Sequence, residues 1–225
     1  MATQIGIYNM ALSYLTLSAR VQSLTENTPQ AGACNTFYDN ARKRILEQAY
    51  WSFASKAVAM QLTLDQTSLG ASAIAFPGWN YIYQRPVDCL KARAVTTQYG
   101  LRVNPYLSYW WQPSGQTNGW GPFRPPWEET LSSDGSTVQI LTDQPSAWLV
   151  YTIDPPNINL APEVFADCVA WELATLVAGP VSANQKAADR AGKMAMLSLS
   201  RALAQNLNEQ QPDTYPESPS ISGRQ

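Results

Sequence analysis

Apolar residues recur at helical spacing near both ends of this chain, and the long stretch between the ends has the pattern of strands. Because an amphipathic helix must bury its apolar stripe against another element, helices from the two ends are expected to pack together. Near the N-terminus, spacings of three and four predict a helix over residues 4–18. Its stripe consists of Ile5, Tyr8, Leu12 and Leu15.

A second helix is predicted over residues 29–50. Thr28 can cap its first turn, and Pro29 suits the first helical position because a proline lacks only an N–H that would be unpaired there. Its apolar residues recur every four positions and are flanked by three more. They are Ala33, Phe37, Ala41, Ile45 and Ala49, with Cys34, Tyr38 and Leu46.

Two further helices are predicted after Pro162, which opens the third, while Gly179-Pro180 is expected to end it. The third helix carries Phe165, Cys168, Val169, Leu173 and Leu176. Ser182 can cap a fourth helix that reaches Leu207. The inner face of this fourth helix is predicted to hold Ala188, Ala195, Met196, Leu199 and Leu203.

Five segments between the helices are predicted to be strands, separated by Gly, Pro, Ser and Asp: AVAMQLTL, WNYIYQ, LKARAVTTQYG, TVQIL and AWLVYTI. In the second, Trp79, Tyr81 and Tyr83 are spaced by two and are expected to wall one face of a sheet. Pro86 should end that strand because it cannot donate to a ladder. Trp51 and Phe53 are expected to pack where helix gives way to strand.

The predicted fold class is α+β. Residues 1–55 and 156–207 are expected to form a helical bundle, into which an antiparallel β domain, residues 56–155, is inserted. The β domain should carry a long aromatic loop at about 104–130, where prolines and glycines oppose regular structure. Residues 208–225 are predicted to be an extended tail, since they are polar and rich in Pro and Ser.

The charge balance argues against tight binding to nucleic acid. Lys and Arg number 15 and Asp and Glu 17, a formal net charge of −2, whereas a phosphate-binding chain is normally basic. Charged residues make up 14% of the chain, against roughly 25% in a typical soluble domain. Such a neutral polar surface favours permanent packing against partners. The N-terminus lacks the basic region of a signal peptide, and no membrane span is predicted there.

The sequence indicates no catalytic or metal site. It contains no histidine, no phosphate-binding glycine loop and no CxxC pair, so no enzyme activity, cofactor or metal is predicted. Cys34, Cys89 and Cys168 lie far apart and are interpreted as small buried hydrophobic residues in a reducing compartment. Glu128-Glu129 is interpreted as part of a solvated loop, because a glycosidase needs two carboxylates that flank a cleft.

About half of the chain resembles a known family, the head-to-tail adaptors of short-tailed bacteriophages (podoviruses), also called tail tubular protein A. The resemblance lies in the order of apolar and aromatic patterns. The matching segments are IYNMALSYL, VQSLTENTPQAGACNTFYDNARKRILEQAYWSFASKAVAMQL, WNYIYQRPVDCLKA and FADCVAWELATLVAGPVSANQKAADR. Residues 100–150 carry no such resemblance.

The resemblance implies a structural virion protein at the head-tail junction, assembled in the host cytoplasm. Such a head-tail connector forms a dodecameric homo-oligomeric ring that binds the portal protein and the tail nozzle protein. The ring contacts genomic DNA passively as it continues the channel used in DNA ejection, and it involves no membrane. Under this reading the basic cluster Arg42, Lys43 and Arg44 would face neighbouring subunits or the portal, with a solvated helix face as the alternative.

Two segments are candidate partner surfaces. The aromatic loop is expected to contact the nozzle or a neighbouring subunit through Tyr109, Trp110, Trp111, Trp120, Phe123 and Trp127. An aromatic-rich carbohydrate-binding module of a tail or surface protein is the alternative, because exposed rings also stack on sugars. The tail is expected to dock on the portal through Pro212, Tyr215, Pro216 and Ile221.

Overall fold

The computed structural model describes residues 3–69, 73–96, 125–182 and 185–209, with the backbone alone at 206–209. These residues form an α+β fold of four helices and two antiparallel sheets. The helices are α1 (Gln4–Tyr14), α2 (Pro29–Gln48), α3 (Glu163–Ser182) and α4 (Gln185–Glu209). The strands are β1 (Ser55–Ala59), β2 (Gln61–Asp65), β3 (Tyr81–Gln84), β4 (Cys89–Thr96), β5 (Trp127–Leu131), β6 (Val138–Thr142) and β7 (Trp148–Ile153).

The N-terminal helices follow their capping signals. Thr28 accepts a hydrogen bond from the Ala31 N–H at 3.3 Å, with Pro29 in the first turn, as predicted. Helix α1 ends at Tyr14, four residues earlier than predicted. The chain turns there because Thr16 adopts a φ of 62°, in the left-handed region, which a right-handed helix cannot include.

Helix α3 does not end at Gly179-Pro180, contrary to prediction. Gly179 is not in the left-handed conformation of a helix cap. Pro180 lies inside the last turn of α3, where its fixed φ is compatible with a helix but its missing N–H leaves the Leu176 carbonyl without its helical donor. Ser182 closes α3 by donating to the Ala178 carbonyl at 2.8 Å. The predicted role of Ser182 as the cap of α4 is therefore wrong, since α4 begins at Gln185.

All four helices contribute to one buried apolar cluster, the helical core, with α3 at its centre. Ten consecutive residues of α3, Cys168 to Val177, are buried or half-buried, because α1, α2 and α4 all pack on this helix. Helix α3 is long and apolar enough by composition to cross a membrane, but most of its span is buried inside the protein. A helix covered on several sides in this way behaves as the core helix of a folded domain.

The inner face of α4 differs from the prediction at its largest residue. Met196 is 77% exposed, whereas Ala191, Ala195 and Ala202 are buried. Small side chains let α4 approach α3 closely, and the longer Met196 lies on the far side. Ala188, Leu199 and Leu203 are half-buried at the edges of the core.

The strands form two sheets with the orders β1-β7-β4 and β2-β3-β6-β5. The predicted single strand AVAMQLTL is two strands, β1 and β2, which belong to different sheets. The chain crosses between the sheets at Met60, whose N–H bonds the Ala147 carbonyl at 2.9 Å. The predicted loop 104–130 is also too long, because residues 127–131 form β5, paired along its whole length with β6.

The two sheets enclose a second apolar cluster, the β core. Tyr83 and Ile140, paired across β3 and β6, face Leu149 and Tyr151 of the other sheet within it. Tyr81 packs beside Tyr83, with ring centroids 6.4 Å apart, as predicted. Trp79 does not join this wall, because Gly78 at φ 95° and a turn from Phe76 precede the strand. Strand β3 ends before Pro86, as predicted.

Candidate functional site

The segments predicted to bind partners lie almost wholly outside the described residues. This holds for five of the six aromatic loop residues and for the four tail residues: Tyr109, Trp110, Trp111, Trp120, Phe123, Pro212, Tyr215, Pro216 and Ile221. Trp127 is described, and it lies in β5 opposite Thr142. It is half-buried against the β core, so its ring contributes to folding the sheets.

Basic side chains of β4 fasten the sheets to the end of α2. The last turn of α2 contains no basic residue, and its final carbonyls need donors. Arg93 supplies two, donating to the carbonyls of Leu46 at 2.7 Å and Ala49 at 2.6 Å. Lys91 donates to the Glu47 carbonyl at 3.0 Å. A cation at this position also complements the negative end of the helix dipole.

Arg93 is anchored on the strand side as well. Its Nε donates to the Thr152 hydroxyl of β7 at 2.8 Å, so one guanidinium spans α2, β4 and β7. A planar group with several fixed donors suits such a three-way junction better than a lysine would. The orientation of the sheets relative to the helices is therefore defined by specific polar contacts.

A second polar connection joins α2 to the segment after β7. Arg42 donates to Asp154 at 2.8 Å, and its guanidinium lies 5.6 Å from the ring centre of Tyr38. Burial raises the pKa of Tyr38 to about 12. The Tyr38 hydroxyl, Arg42 Nε and one Asp154 oxygen are buried without a hydrogen-bond partner within the described part of the chain.

The basic cluster of α2 is largely occupied within the chain. Arg42 binds Asp154, and Arg44 pairs with the buried Glu172 of α3 at 2.7 Å. Lys43 alone of the three is exposed without an ion pair among the described residues. Arg42 and Arg44 therefore have acidic partners within the chain, although the Arg44 side chain remains 48% exposed. That the cluster faces neighbouring subunits or the portal stays a prediction.

Aromatic packing forms the junction between helix and strand, as predicted. Trp51 and Phe53 each lie 5.0 Å from the Phe165 ring of α3, in edge-to-face arrangements. The Trp51 indole N–H donates to the Ile45 carbonyl at 3.0 Å. The chain therefore leaves α2 in a fixed direction.

A shallow cleft of about 390 Å³ lies between α3 and α4. Its apolar floor includes Trp171, which stacks on Tyr14 with ring centroids 3.7 Å apart. The Tyr14 hydroxyl donates to Asp167 at 2.5 Å, and burial followed by this carboxylate raises the pKa of Tyr14. The other lining residues are Glu163, Val164, Met194, Ser198, Arg201 and Gln205.

Among the described residues that line the cleft, none is an activated nucleophile. The Ser198 hydroxyl donates to Cys168 Sγ at 3.1 Å, and burial raises the pKa of that thiol to about 11. Cys34 is equally buried, Cys89 is half-buried, and all three are free thiols. No group of three His, Cys, Asp or Glu within the described ranges can hold a metal ion.

Sequence inspection missed Lys91, Arg93, Asp154 and Glu172. A signal existed for two of them: Lys91 and Arg93 stand at alternating positions in an otherwise apolar strand, and a long cation there commonly reaches past the sheet edge. Glu172 is also unusual as a carboxylate within the apolar run of α3.

Comparison of the sequence with models of known protein families gives no match, and comparison with curated proteins gives none.

Proposed function

We propose that this chain is the head-to-tail adaptor of a short-tailed bacteriophage. In this proposal it is a structural virion protein whose copies, twelve to a ring, connect the portal to the tail nozzle and continue the DNA channel. The observation that carries the proposal is the shared core of helices from both chain ends, with the sheets fastened to it by Arg93. A unit whose helices and sheets are joined by specific buried contacts suits a permanent structural connector.

The finer architecture we propose is a helical bundle with an inserted β domain. Strands β1 and β7 pair antiparallel, with Ser55 opposite Thr152, so the chain enters and leaves the sheets side by side. Neighbouring entry and exit points are typical of an inserted domain. Residues 1–55 and 156–207 would then build the bundle, and residues 56–155 the insertion.

A passive channel role is supported by the charge balance. A ring through which DNA slides should not grip phosphates, and a chain of net charge −2 gains little from counterion release. We expect weak binding of duplex DNA near physiological salt. Sub-micromolar affinity, measured by fluorescence anisotropy, would argue against a passive conduit.

Assembly is the direct test of the proposed function. Sedimentation velocity of the purified chain, alone and with portal protein, should reveal a closed ring or its formation on the portal. Electron microscopy of that species should show a central channel. A chain that stays monomeric in both conditions and binds a glycan array would instead support the carbohydrate-binding alternative.

Deletion of the tail tests which part of the chain binds the portal. Residues 210–225 lie outside the described residues, and their docking on the portal is a proposal drawn from their Pro-rich composition and from the family resemblance. Deleting them should reduce attachment to DNA-filled heads while the circular dichroism spectrum stays that of the full chain. Undiminished attachment would assign portal binding to the helices.

A further inference from the structure

One exposed face of α4 carries a row of basic residues. Positions spaced by four, three, four and four lie along one side of a helix, and here they are all exposed. This basic ridge consists of Lys186, Arg190, Lys193, Leu197 and Arg201. It extends for about 22 Å along the helix axis at 1.5 Å per residue.

Three cations of the ridge have no ion pair within the described part of the chain: Arg190, Lys193 and Arg201. Asp189 is the only acidic residue among the described side chains of α4, and it accepts a hydrogen bond from Gln185 at 3.0 Å. The ridge is also partly apolar, because Leu197 is 49% exposed, and Arg201 at its end lines the α3–α4 cleft.

The rest of the chain carries a net negative charge. Removing the four cations of the ridge from the total leaves 11 basic residues against 17 acidic ones, a formal charge of −6. The near-neutral total therefore combines a positively charged face of α4 with a net negative charge over the remaining residues. Such separation favours association between copies of the same chain.

A complementary surface lies on the four-stranded sheet. Asp65, Tyr81, Thr142 and Trp127 form one row across β2, β3, β6 and β5, and two more acidic residues, Glu128 and Asp143, directly follow members of that row. Consecutive side chains of a strand alternate between faces, and Asp65 shares the face of Tyr81 and Trp127, which pack on the β core. The acidic edge therefore consists of Glu128 and Asp143, which are both exposed. Asp143 accepts a hydrogen bond from the Asn80 N–H at 3.0 Å, and within the described residues neither carboxylate forms an ion pair.

We propose that the basic ridge of one copy docks on the acidic edge of the next copy. The inference rests on the proposed ring and names its subunit contact. Two different surfaces that complement each other make a head-to-tail contact, and such contacts close into rings when the rotation permits. A second copy fits better than nucleic acid, because exposed Leu197 and the adjoining cleft suit a protein interface.

Reciprocal charge reversal tests this contact in the full chain. Variant one carries Arg190→Glu and Lys193→Glu, and variant two carries Glu128→Lys and Asp143→Lys. Each alone should assemble at least about tenfold more weakly than the wild type, because like charges then face each other. Mixing the two should restore assembly, since each reversed surface meets its reversed partner in an alternating ring.

Controls separate this contact from general effects of charge. Lys43→Glu and Glu47→Lys change exposed charges of α2 and should assemble normally, and circular dichroism should show that every variant stays folded. Wild-type assembly should weaken between 0.1 M and 1 M salt, where the screening length falls from about 10 Å to about 3 Å.

The outcomes are distinct. If the wild type forms rings and both double variants do so equally well, the contact is wrong and the ring proposal stands. If the wild type never assembles, with or without portal, both proposals fail. Loss of duplex DNA binding in variant one with unchanged assembly would make the ridge a nucleic-acid surface and overturn the inference.

Discussion

Arg93 illustrates how one side chain can define the relation between two parts of the protein. It donates to two carbonyls at the end of α2 and to a hydroxyl of β7. Removing the Arg93 side chain would leave the Leu46 and Ala49 carbonyls and the Thr152 hydroxyl without their charged donor. Hydrogen bonds to charged groups contribute about 1.5–3 kcal/mol each, so the position is sensitive to substitution.

We expect Arg93→Ala to lower the free energy of unfolding by about 2–4 kcal/mol. Urea denaturation followed by circular dichroism measures this change. Lys91→Ala is the matched control on the same strand, and it should cost clearly less because Lys91 is exposed and caps a single carbonyl. Equal costs for the two variants would contradict the role of Arg93 as the junction.

Asp134 offers a prediction about pH. Hydrogen bonds from Ser132 first, and then from Ser136, lower the pKa of this exposed carboxyl from 3.8 to about 2. A lowered pKa in the folded state stabilises the protein above the unfolded pKa, and this contribution disappears as the pH falls from about 4 to about 2. The β5–β6 turn should therefore keep its carboxylate hydrogen bonds at pH 3.

Carboxyl carbon NMR of Asp134 across the acid range checks that value. Replacing both hydroxyls, with Ser132→Ala and Ser136→Ala, should raise the pKa towards 3.8 because the donors that favour the carboxylate are gone. An Asp134 titration that is the same in wild type and double variant would show that these hydrogen bonds do not form in solution.

At the scale of elements, α3 is the most constrained part of the chain because it packs against the other three helices. Leu173→Ala should lower the free energy of unfolding by about 2–5 kcal/mol, since this side chain is fully buried and its removal leaves a cavity. Thermal and urea denaturation measure the effect.

Met196→Ala on α4 is the contrasting substitution. With 77% of the side chain exposed, it should change the free energy of unfolding by less than about 0.5 kcal/mol. A cost comparable to that of Leu173→Ala would mean that Met196 is covered, as its apolar character alone suggested.

Sequence patterns predicted where the helices lie better than they predicted which helix residues are buried. Thr28-Pro29 identifies the start of α2 because capping is a local interaction, and the structure confirms it. The size and hydrophobicity of Met196 predict that it is buried. It is exposed instead, and the smaller alanines of α4 are buried because they permit close packing of the helices. That choice depends on the facing surface of α3, which no local pattern records.

Strand prediction failed where tertiary pairing decides. Trp127–Leu131 lacks clear alternation and follows two prolines, a pattern that predicts a loop. The segment is nevertheless a strand, because β6 pairs with it along its whole length. The crossing at Met60 likewise depends on Ala147, almost ninety residues away. For the candidate site, residue types and spacing were enough to suggest the aromatic loop and the tail as partner surfaces. The contacts of Arg93 could not be predicted in this way, because they join residues that only the fold brings together.

At the scale of the whole molecule, the insertion model makes a strong prediction. Because Ser55 lies opposite Thr152, a short Gly/Ser linker can replace residues 56–155 without separating the helices. The shortened chain should remain soluble and helical by circular dichroism, and it should melt at a lower temperature because α2 loses the caps from Lys91 and Arg93. An unfolded product would contradict the independent bundle.

The central position of α3 has a consequence for synthesis on the ribosome. Helices α1 and α2 are complete by Gln48, but their principal partner begins only at Glu163. At a translation rate of roughly 5–20 residues per second, the N-terminal helices wait on the order of 6–23 s with their apolar faces uncovered. Nascent chains stalled between these points should therefore bind chaperones and be cleaved readily by protease, and protection should arise only after α3 has emerged from the exit tunnel.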